Sequence, residues 1–324
     1  MSEPEARAAR WTEERREPAT RATREARGTQ RAVGERAAQC GLVVVRAGPL
    51  ATVQDLGRAG LAHLGVPGSG AADVPALRLA NRLAGNPEGA AGLELTFGGA
   101  ALRPERGVWA VVTGAPAPVA VDGRQQGMNA PFRVPAGATL EVGAPVRGVR
   151  TYVAVRGGLT PDAVLGSRSA DLLSGLGPRP LAAGDVVPLG PADGLDPIAV
   201  DLAPVPPLPE TPELRVRPGP RDDWFDGDAL ATLTGGNYTV TDASNRVGVR
   251  LDGPVLARAR DGELPSEGMV TGALQVPPDG LPILFLADHP TTGGYPVLAV
   301  VAAADVPLAA QLRPGQNVRF RALR

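Results

Sequence analysis

The sequence predicts a mainly β protein with a few short helices, organised as a duplicated β-rich module, and three observations carry that prediction. Glycine (42) and proline (34) are abundant while aromatic side chains make up only 3% of 324 residues, a balance that favours short strands joined by tight turns over helix bundles. Strand-like runs with turn signals recur at roughly ten-residue spacing through the first half, the pattern of a sandwich or barrel. The second half then repeats the outline of the first: LRVRPGPRDDW echoes VVRAGPLATVQD, YPVLAVV echoes TYVAVRGG, and LRPGQNVRF echoes LAAGDVVPL.

Residues 1–40 are rich in Arg and Glu, with hardly a large apolar side chain beyond Trp11. Such a segment buries too little surface to offset its ordering entropy and reads as a disordered tail. From Gly41, LVVVRAG reads as a strand. Ala76 to Leu83 (ALRLANRL) reads as a helix, with Asp73 near its start and Gly85 just past its end. VWAVVTG, APVAVDGR, ATLEVGA and TYVAVRGG follow as strands, with turns at Asp122-Gly123 and Ala136-Gly137. Between Gly190 and Glu213 the stretch PADGLDPIAVDLAPVPPLPE is rich in proline, whose missing backbone donors and fixed φ angles oppose ladder formation. The expected organisation is a tail over 1–40, a first module over 41–190, a Pro-rich linker over 191–212 and a second module over 213–324.

Composition also excludes chemistries. All 33 positive charges are Arg, which removes a P-loop lysine, a Schiff base and a biotinyl-lysine carrier site. One Cys and two His cannot build a disulfide framework or a His/Cys zinc site from this chain alone, and suit a reducing compartment. A net charge of −1 offers no broad basic field for nucleic acid. The apolar stretch from Val297 to Ala310 is too short to span a bilayer and carries Asp305, and the N-terminus has no apolar core of a secretion signal. The expectation is a soluble, cytoplasmic protein with neither nucleic-acid nor membrane partner.

Five segments hold reactive or recognising side chains. TVQDLGR places Thr52, Gln54, Asp55 and Arg58 beside a glycine, either to present a carboxylate and a guanidinium to a carbonyl-containing ligand or to fix a loop as an Asp-Arg pair. GVPGSGAAD follows with Ser69 and Asp73, its glycines allowing backbone N–H groups close to a ligand. SRSAD offers Arg168 flanked by hydroxyls, suited to a carboxylate or phosphate. In SNRVGVRLDGP, Arg246 either faces a ligand or caps a strand end in a glycine-rich hairpin. The densest stretch, 263–295, has Glu267 and Gln275 in or beside polar turns, and PILFLAD as a buried strand delivering Asp288 and His289. Thr291-Thr292-Gly293-Gly294-Tyr295 then supplies two hydroxyls, permissive glycines and a phenol, which suits an anion or an amide. His289 is the one group in this stretch whose ordinary pKa lies near neutrality. No G-x-S-x-G or dinucleotide fingerprint occurs.

Nine blocks in order, GPLATVQDLGRAG, GVPGSGAAD, ANRLAGN, LELTFGGAAL, VRGGL, LGSRSADLL, SNRVGVRLDGP, SEGMVTGALQVPPDGLPI and ADHPTTGGYPVLAVV, resemble the motifs of the allophanate hydrolase subunit 2 family. That family is also called the biotin-dependent carboxyltransferase family and includes KipA and the C-type component of prokaryotic 5-oxoprolinase. The resemblance implies two cyclophilin-like β-barrel modules and a site at the junction with a subunit 1 (B-type) partner. In the oxoprolinase branch it implies ATP-dependent opening of 5-oxoproline to glutamate together with a further, A-type protein, ATP and Mg being held by the complex and the chain being inactive or nearly so alone. Its alternatives are carboxyl transfer from biotin on another carrier to urea or a related amide, and a KipA-type regulator that counters an inhibitor of a sensor histidine kinase. The lactam and urea both present a planar amide or ureido edge that Gln, Asp, Arg, Thr and Tyr read by paired hydrogen bonds.

Motif by motif, the resemblance implies Asp288 or Asp55 as the acid-base group and Arg246 and Arg58 as charge stabilisers. It implies substrate binding by Thr52, Gln54, Ser69, Asp73, Arg168, Glu267, Gln275, Thr291, Thr292, Gly293, Gly294 and Tyr295, with no metal ligands. Two departures bear on substrate choice or the partner contact. Where relatives read A-D-x-Q-T-T-G-G-Y-P this chain has His289-Pro290, losing an amide side chain and a backbone donor; where they read R-M-G-Y-R-L it has Val247 and Val249, losing an aromatic.

Overall fold

In the computed structural model, which describes residues 40–262 and 264–323, the alternating apolar runs pair into sheets much as their period of two demands. The tail expected over 1–40 lies, except for Cys40, outside the described residues. Strands up to Pro188 form two sheets. One runs Val186–Pro188, Gly41–Arg46, Ala100–Pro104, Leu140–Val142, Val119–Val121, Arg124–Gln126. The other runs Leu50–Gln54, Gly92–Thr96, Arg150–Val155, Val108–Gly114, Pro131–Val134. Leu42, Val44, Val53, Leu93, Leu95, Val112, Leu140 and Val153 from both sheets share one core. At the Asp122-Gly123 turn both residues adopt positive φ (45° and 77°), the geometry that matches a two-residue loop to the twist of its strands.

The helix Val74–Leu83 starts two residues before the expected Ala76. Asp73 accepts a hydrogen bond from Ala76 N at 3.1 Å, and Pro75 fits a first turn whose N–H groups have no helical partner. Its inner side packs Leu77, Ala80 and Leu83 with Tyr152, Val111 and Ala154 of the second sheet. Gly85, at φ 68°, follows the helix end.

From Glu213 the chain closes into a seven-stranded barrel in the order Glu213–Pro218, Val297–Val301, Ala273–Gln275, Ile283–Phe285, Gly248–Asp252, Tyr238–Val240, Asn317–Ala322. The last strand pairs parallel with the first and shuts the ring. Leu214, Val216, Leu251, Leu274, Leu284 and Phe320 fill the interior, where the Tyr238 ring meets Phe320 edge-on at 5.7 Å. Ala72, from the first half, belongs to this same core. Among the described residues no helix is long and apolar enough to cross a membrane.

The mainly β expectation holds, while the two halves close differently. The first half is a pair of open sheets, not a second closed barrel. Its opening strand pairs antiparallel with Val186–Pro188, whereas Glu213–Pro218 pairs parallel with Asn317–Ala322. Val186–Pro188 is three residues long and ends in proline, which has no N–H to carry a ladder further. Residues 190–212 form no helix or strand, as their prolines require.

Gly98 and Gly137 separate backbone strain from steric exclusion. Both have positive φ, but a Cβ on Gly98 would lie 2.0 Å from Gly143 O whereas one on Gly137 meets open space. Gly137→Ala is expected to cost about 1 kcal/mol, and Gly98→Ala about 3 kcal/mol or more because backbone must move as well. Denaturant unfolding of the full chain checks this; equal losses would deny the close approach.

Candidate functional site

The second-sheet strand Leu50–Gln54 releases a loop whose polar side chains are spent on a segment more than a hundred residues away. The Asp55 carboxylate accepts from Ser167 Oγ (2.6 Å), Ser169 Oγ (2.5 Å), Arg168 N (2.6 Å) and Gly57 N (2.8 Å). Arg58, 3% exposed, donates to Val164 O (3.0 Å) and Ser169 O (2.6 Å). Gln54 donates to Thr52 Oγ1 and Ala170 O, both at 3.0 Å. Asp55 and Arg58 therefore fix a loop, SRSAD, each through its own partners there and not as the Asp-Arg pair that one reading of TVQDLGR expects. Arg168 donates through Nε to Pro161 O at 3.0 Å and stays half-buried.

Beneath these loops a chain of buried charges crosses between the halves. Arg246, 1% exposed, grips Asp288 through Nε and Nη2, each at 2.9 Å, reaches Glu94 through Nη1, and donates to Gly70 O at 2.6 Å. Asp288 also accepts from Leu172 N (3.1 Å), and the single hydroxyl proton of Ser69 is shared between Asp288 Oδ1 (2.8 Å) and Ala170 O (2.9 Å). Glu94 accepts from Ala72 N (3.0 Å) and Tyr152 Oη (2.7 Å), with Arg150 Nε 3.4 Å away. Tyr152 Oη in turn accepts from Asp73 N (2.8 Å), and Gln311 of the barrel half donates to Asp73 Oδ2 (2.8 Å).

Burial alone would raise Glu94, but the Arg246 and Arg150 guanidiniums outweigh it and hold this carboxyl below its ordinary value. For Arg246 burial acts downward, and Glu94 with Asp288 more than reverses it, so the guanidinium stays charged. Burial, reinforced by Glu94 and Asp73, pushes the Tyr152 phenol well up and keeps it a donor.

The segment after Asp288 climbs away from this network. His289 stacks on Phe285 with ring centroids 6.0 Å apart. Thr292–Gly293 then pairs with Glu267–Gly268 as a two-stranded ribbon, extended by Met269 N to Thr291 O and Leu264 N to Gly294 O, both at 2.9 Å. Buried Gln275 supports it by donating to Tyr295 O at 3.0 Å. Arg221 forms an ion pair with Glu267, and its hydrogen bonds hold that carboxyl below its ordinary value. Thr291, Gly293, Gly294 and Tyr295 are half-buried and Thr292 is exposed.

The structure thus gathers Thr52, Gln54, Asp55, Arg58, Ser69, Asp73, Arg168, Arg246 and Asp288 around the junction of the halves. It places Glu267, Gln275 and Thr291 to Tyr295 on or beneath the ribbon, with residues 288–291 joining the two groups. Sequence reasoning missed Glu94, Arg150, Tyr152, Gln311 and Arg221, and noted Ser167 and Ser169 only as hydroxyls flanking Arg168. A signal existed for three of them: Glu94 interrupts an apolar strand, Arg150 and Tyr152 are two apart on another, and Tyr152 stands opposite Glu94 in register. Among the described residues no group of three or more His, Cys, Asp or Glu gathers as a metal site.

Because the folded Glu94 titrates below its ordinary 4.5, its contribution to stability is present above that value and is lost as pH falls through the lower folded value. Glu94→Gln strips the compensating charge from Arg246 and Arg150 and is expected to cost about 3–5 kcal/mol at pH 7. Chemical denaturation should show this loss shrinking below pH 4.5; a loss independent of pH would mean that the charge itself contributes nothing.

Residues 64–322 match the carboxyltransferase domain, subdomain A and B. The chain is 37% identical to the 5-oxoprolinase C subunit of Escherichia coli (strain K12), over 86% of this chain and 90% of that protein. It is 32% identical to urea amidolyase of Lachancea kluyveri, over 87% of this chain but 17% of that one. The crystal structure of TTHA0988 superposes with a TM-score of 0.80 at 39% identity, covering 88% of this chain and 56% of the other. The K. lactis urea amidolyase structure gives 0.80 at 30% identity, over 88% and 19%. This chain spans little more than half of TTHA0988 and under a fifth of the urea amidolyases. From the extent of the domain match and the near full-length likeness to the E. coli oxoprolinase component, the chain belongs to the carboxyltransferase domain, subdomain A and B, family.

Proposed function

We propose that this chain is the C-type component of a cytoplasmic, ATP-dependent 5-oxoprolinase that opens 5-oxoproline to glutamate together with B-type and A-type partners. The observation that carries this reading is its likeness to the E. coli 5-oxoprolinase C subunit, which extends over 90% of that protein. In the same reading both halves, 41–190 and 213–324, are versions of one cyclophilin-like barrel, joined by 191–212 and opened in the first copy.

The site geometry supports a division of labour. Asp55, Arg58, Arg246 and Asp288 act as positioning residues, since their polar atoms, Arg58 Nη1 excepted, are engaged within the protein. Recognition falls to the half-exposed loops above them: Arg168 suits the substrate carboxylate, and the Thr291 to Tyr295 ribbon suits the lactam edge. Donors held rigidly by the ribbon would stabilise charge developing on the lactam oxygen. The donor set does not fit a nucleotide-magnesium site lying wholly on this chain. It has no Lys, Arg246 is spent on carboxylates and a carbonyl, Arg58 is buried with Nε and Nη2 on carbonyls, and no metal-type cluster exists among the described residues. ATP and Mg are therefore assigned to the assembly.

The second reading, carboxyl transfer from biotin to a urea-like amide, is favoured by the likeness to the Kluyveromyces lactis urea carboxylase structure, 31% identical with a TM-score of 0.80. Biotin would then sit on another chain, because this one has no lysine to carry it.

The test is to co-express the full chain with its B-type and A-type partners and follow glutamate and ADP release from 5-oxoproline and ATP. Turnover is expected only with all three. Arg168→Ala should lower kcat/KM by about tenfold or more, mainly through KM, with unchanged Tm. An assembled complex that leaves 5-oxoproline intact but carboxylates urea with a biotin carrier would replace this reading by the second.

A further inference from the structure

A cavity of about 430 Å³, within the range of ordinary small-molecule sites, lies apart from the 164–171 and 288–295 loops. The helix Val74–Leu83 forms one wall and the proline-rich segment Val205 to Leu208 another, with Leu79, Met128 and Leu208 among the apolar lining. That segment is pinned on both sides of the cavity. Ala203 N donates to Asn129 O at 2.9 Å and Arg147 Nη1 to Leu208 O at 3.1 Å, so the prolines between hold a stiff wall in place.

The polar lining combines acceptors with one guanidinium, that of Arg147, whose Nη1 is taken by Leu208 O. Asp73, only 9% exposed, accepts from Gln311 Nε2 and Ala76 N, which leaves about two of the roughly four lone-pair sites of a carboxylate unspent. Asn129 Oδ1 is buried without a hydrogen-bond partner. The Gln311 amide cannot serve as a donor here, because its N–H groups go to Asp73 and to Arg150 O.

Charge points the same way. The buried network joins two guanidiniums, Arg150 and Arg246, to Glu94 and Asp288, and these four balance. Asp73, linked to them through Tyr152 and Gln311, is the carboxylate left over. Burial pushes its pKa up, reinforced by Glu94, against the hydrogen bonds from Gln311 and Ala76 N and the pull of Arg150.

We propose that this cavity binds a small organic cation: a compact apolar body ending in a protonated amine that pairs with Asp73. The apolar walls take the body, Asp73 takes the charge, and Asn129 Oδ1 supplies a second acceptor. The proposal is independent of the oxoprolinase reading, because binding is measured without turnover.

Calorimetric titration of the full chain with benzylamine, benzyl alcohol and benzoate at neutral pH tests it. The amine is expected to bind at least about tenfold more tightly than the alcohol, with benzoate weakest. Asp73→Asn, which keeps a helix-capping oxygen, should erase the preference for the amine over the alcohol. Leu79→Trp, which fills the cavity from the helix side, should abolish binding of all three at unchanged Tm. Absence of amine binding, equal affinity for amine and alcohol, or binding that survives Leu79→Trp overturns the proposal.

Discussion

Arg246 leaves the barrel half and ends between two carboxylates, Asp288 of its own half and Glu94 of the other, and the rest of the site depends on that three-residue contact. A guanidinium taken out of water is costly unless charge and hydrogen bonds replace its hydration, and here Glu94, Asp288 and Gly70 O do so. The same carboxylates then need their own donors, and Ser69, Leu172 N, Ala72 N and Tyr152 provide them. Each group is tolerable inside the protein only because the others are present. The two halves are consequently locked in one register by directional bonds, while apolar packing such as Ala72 in the barrel core supplies non-directional adhesion.

That lock determines where the loops stand. Ser69 and Leu172 N reach Asp288 from two different loops, so both are referenced to the point at which the 288–295 segment emerges. Asp55 and Arg58 tie the same two loops to each other. Asp288 and Asp55 each receive donors from several segments of the chain, which suits the positioning role proposed for them. Asp73 stands at the edge of this balance. It caps a helix, receives Gln311 from the other half and lines a cavity, so one residue couples local structure, the junction and a site for a ligand.

Much of the fold is legible from local pattern. The Asp122-Gly123 turn, the helix after Asp73 and the strand within PILFLAD all appear where turn chemistry, capping and apolar runs place them. The site is half legible. The pattern around Arg246 leaves open a ligand contact or a capped strand end and gives no sign of the carboxylates it holds, which come from 42 and 152 residues away. The two halves share an outline in sequence, yet the opening strand of the first pairs antiparallel on both sides while that of the second is antiparallel to Val297–Val301 and parallel to Asn317–Ala322. Pairing direction depends on which strand arrives from afar, and turn motifs carry no information about that.

The sequence by itself determined the strand-rich character, the turn positions, the helix cap and the set of polar loop residues, because each follows from interactions spanning a few positions. It also carried the family motifs, which are strings of adjacent residues. Only the tertiary structure decided that Glu94, Arg150 and Tyr152 matter, that Asp288 is a buried anchor and that Asp73 borders a cavity closed by the proline segment. Burial and charge compensation are properties of neighbours in space, and a carboxylate in a strand looks the same on the page whether it faces water or two guanidiniums.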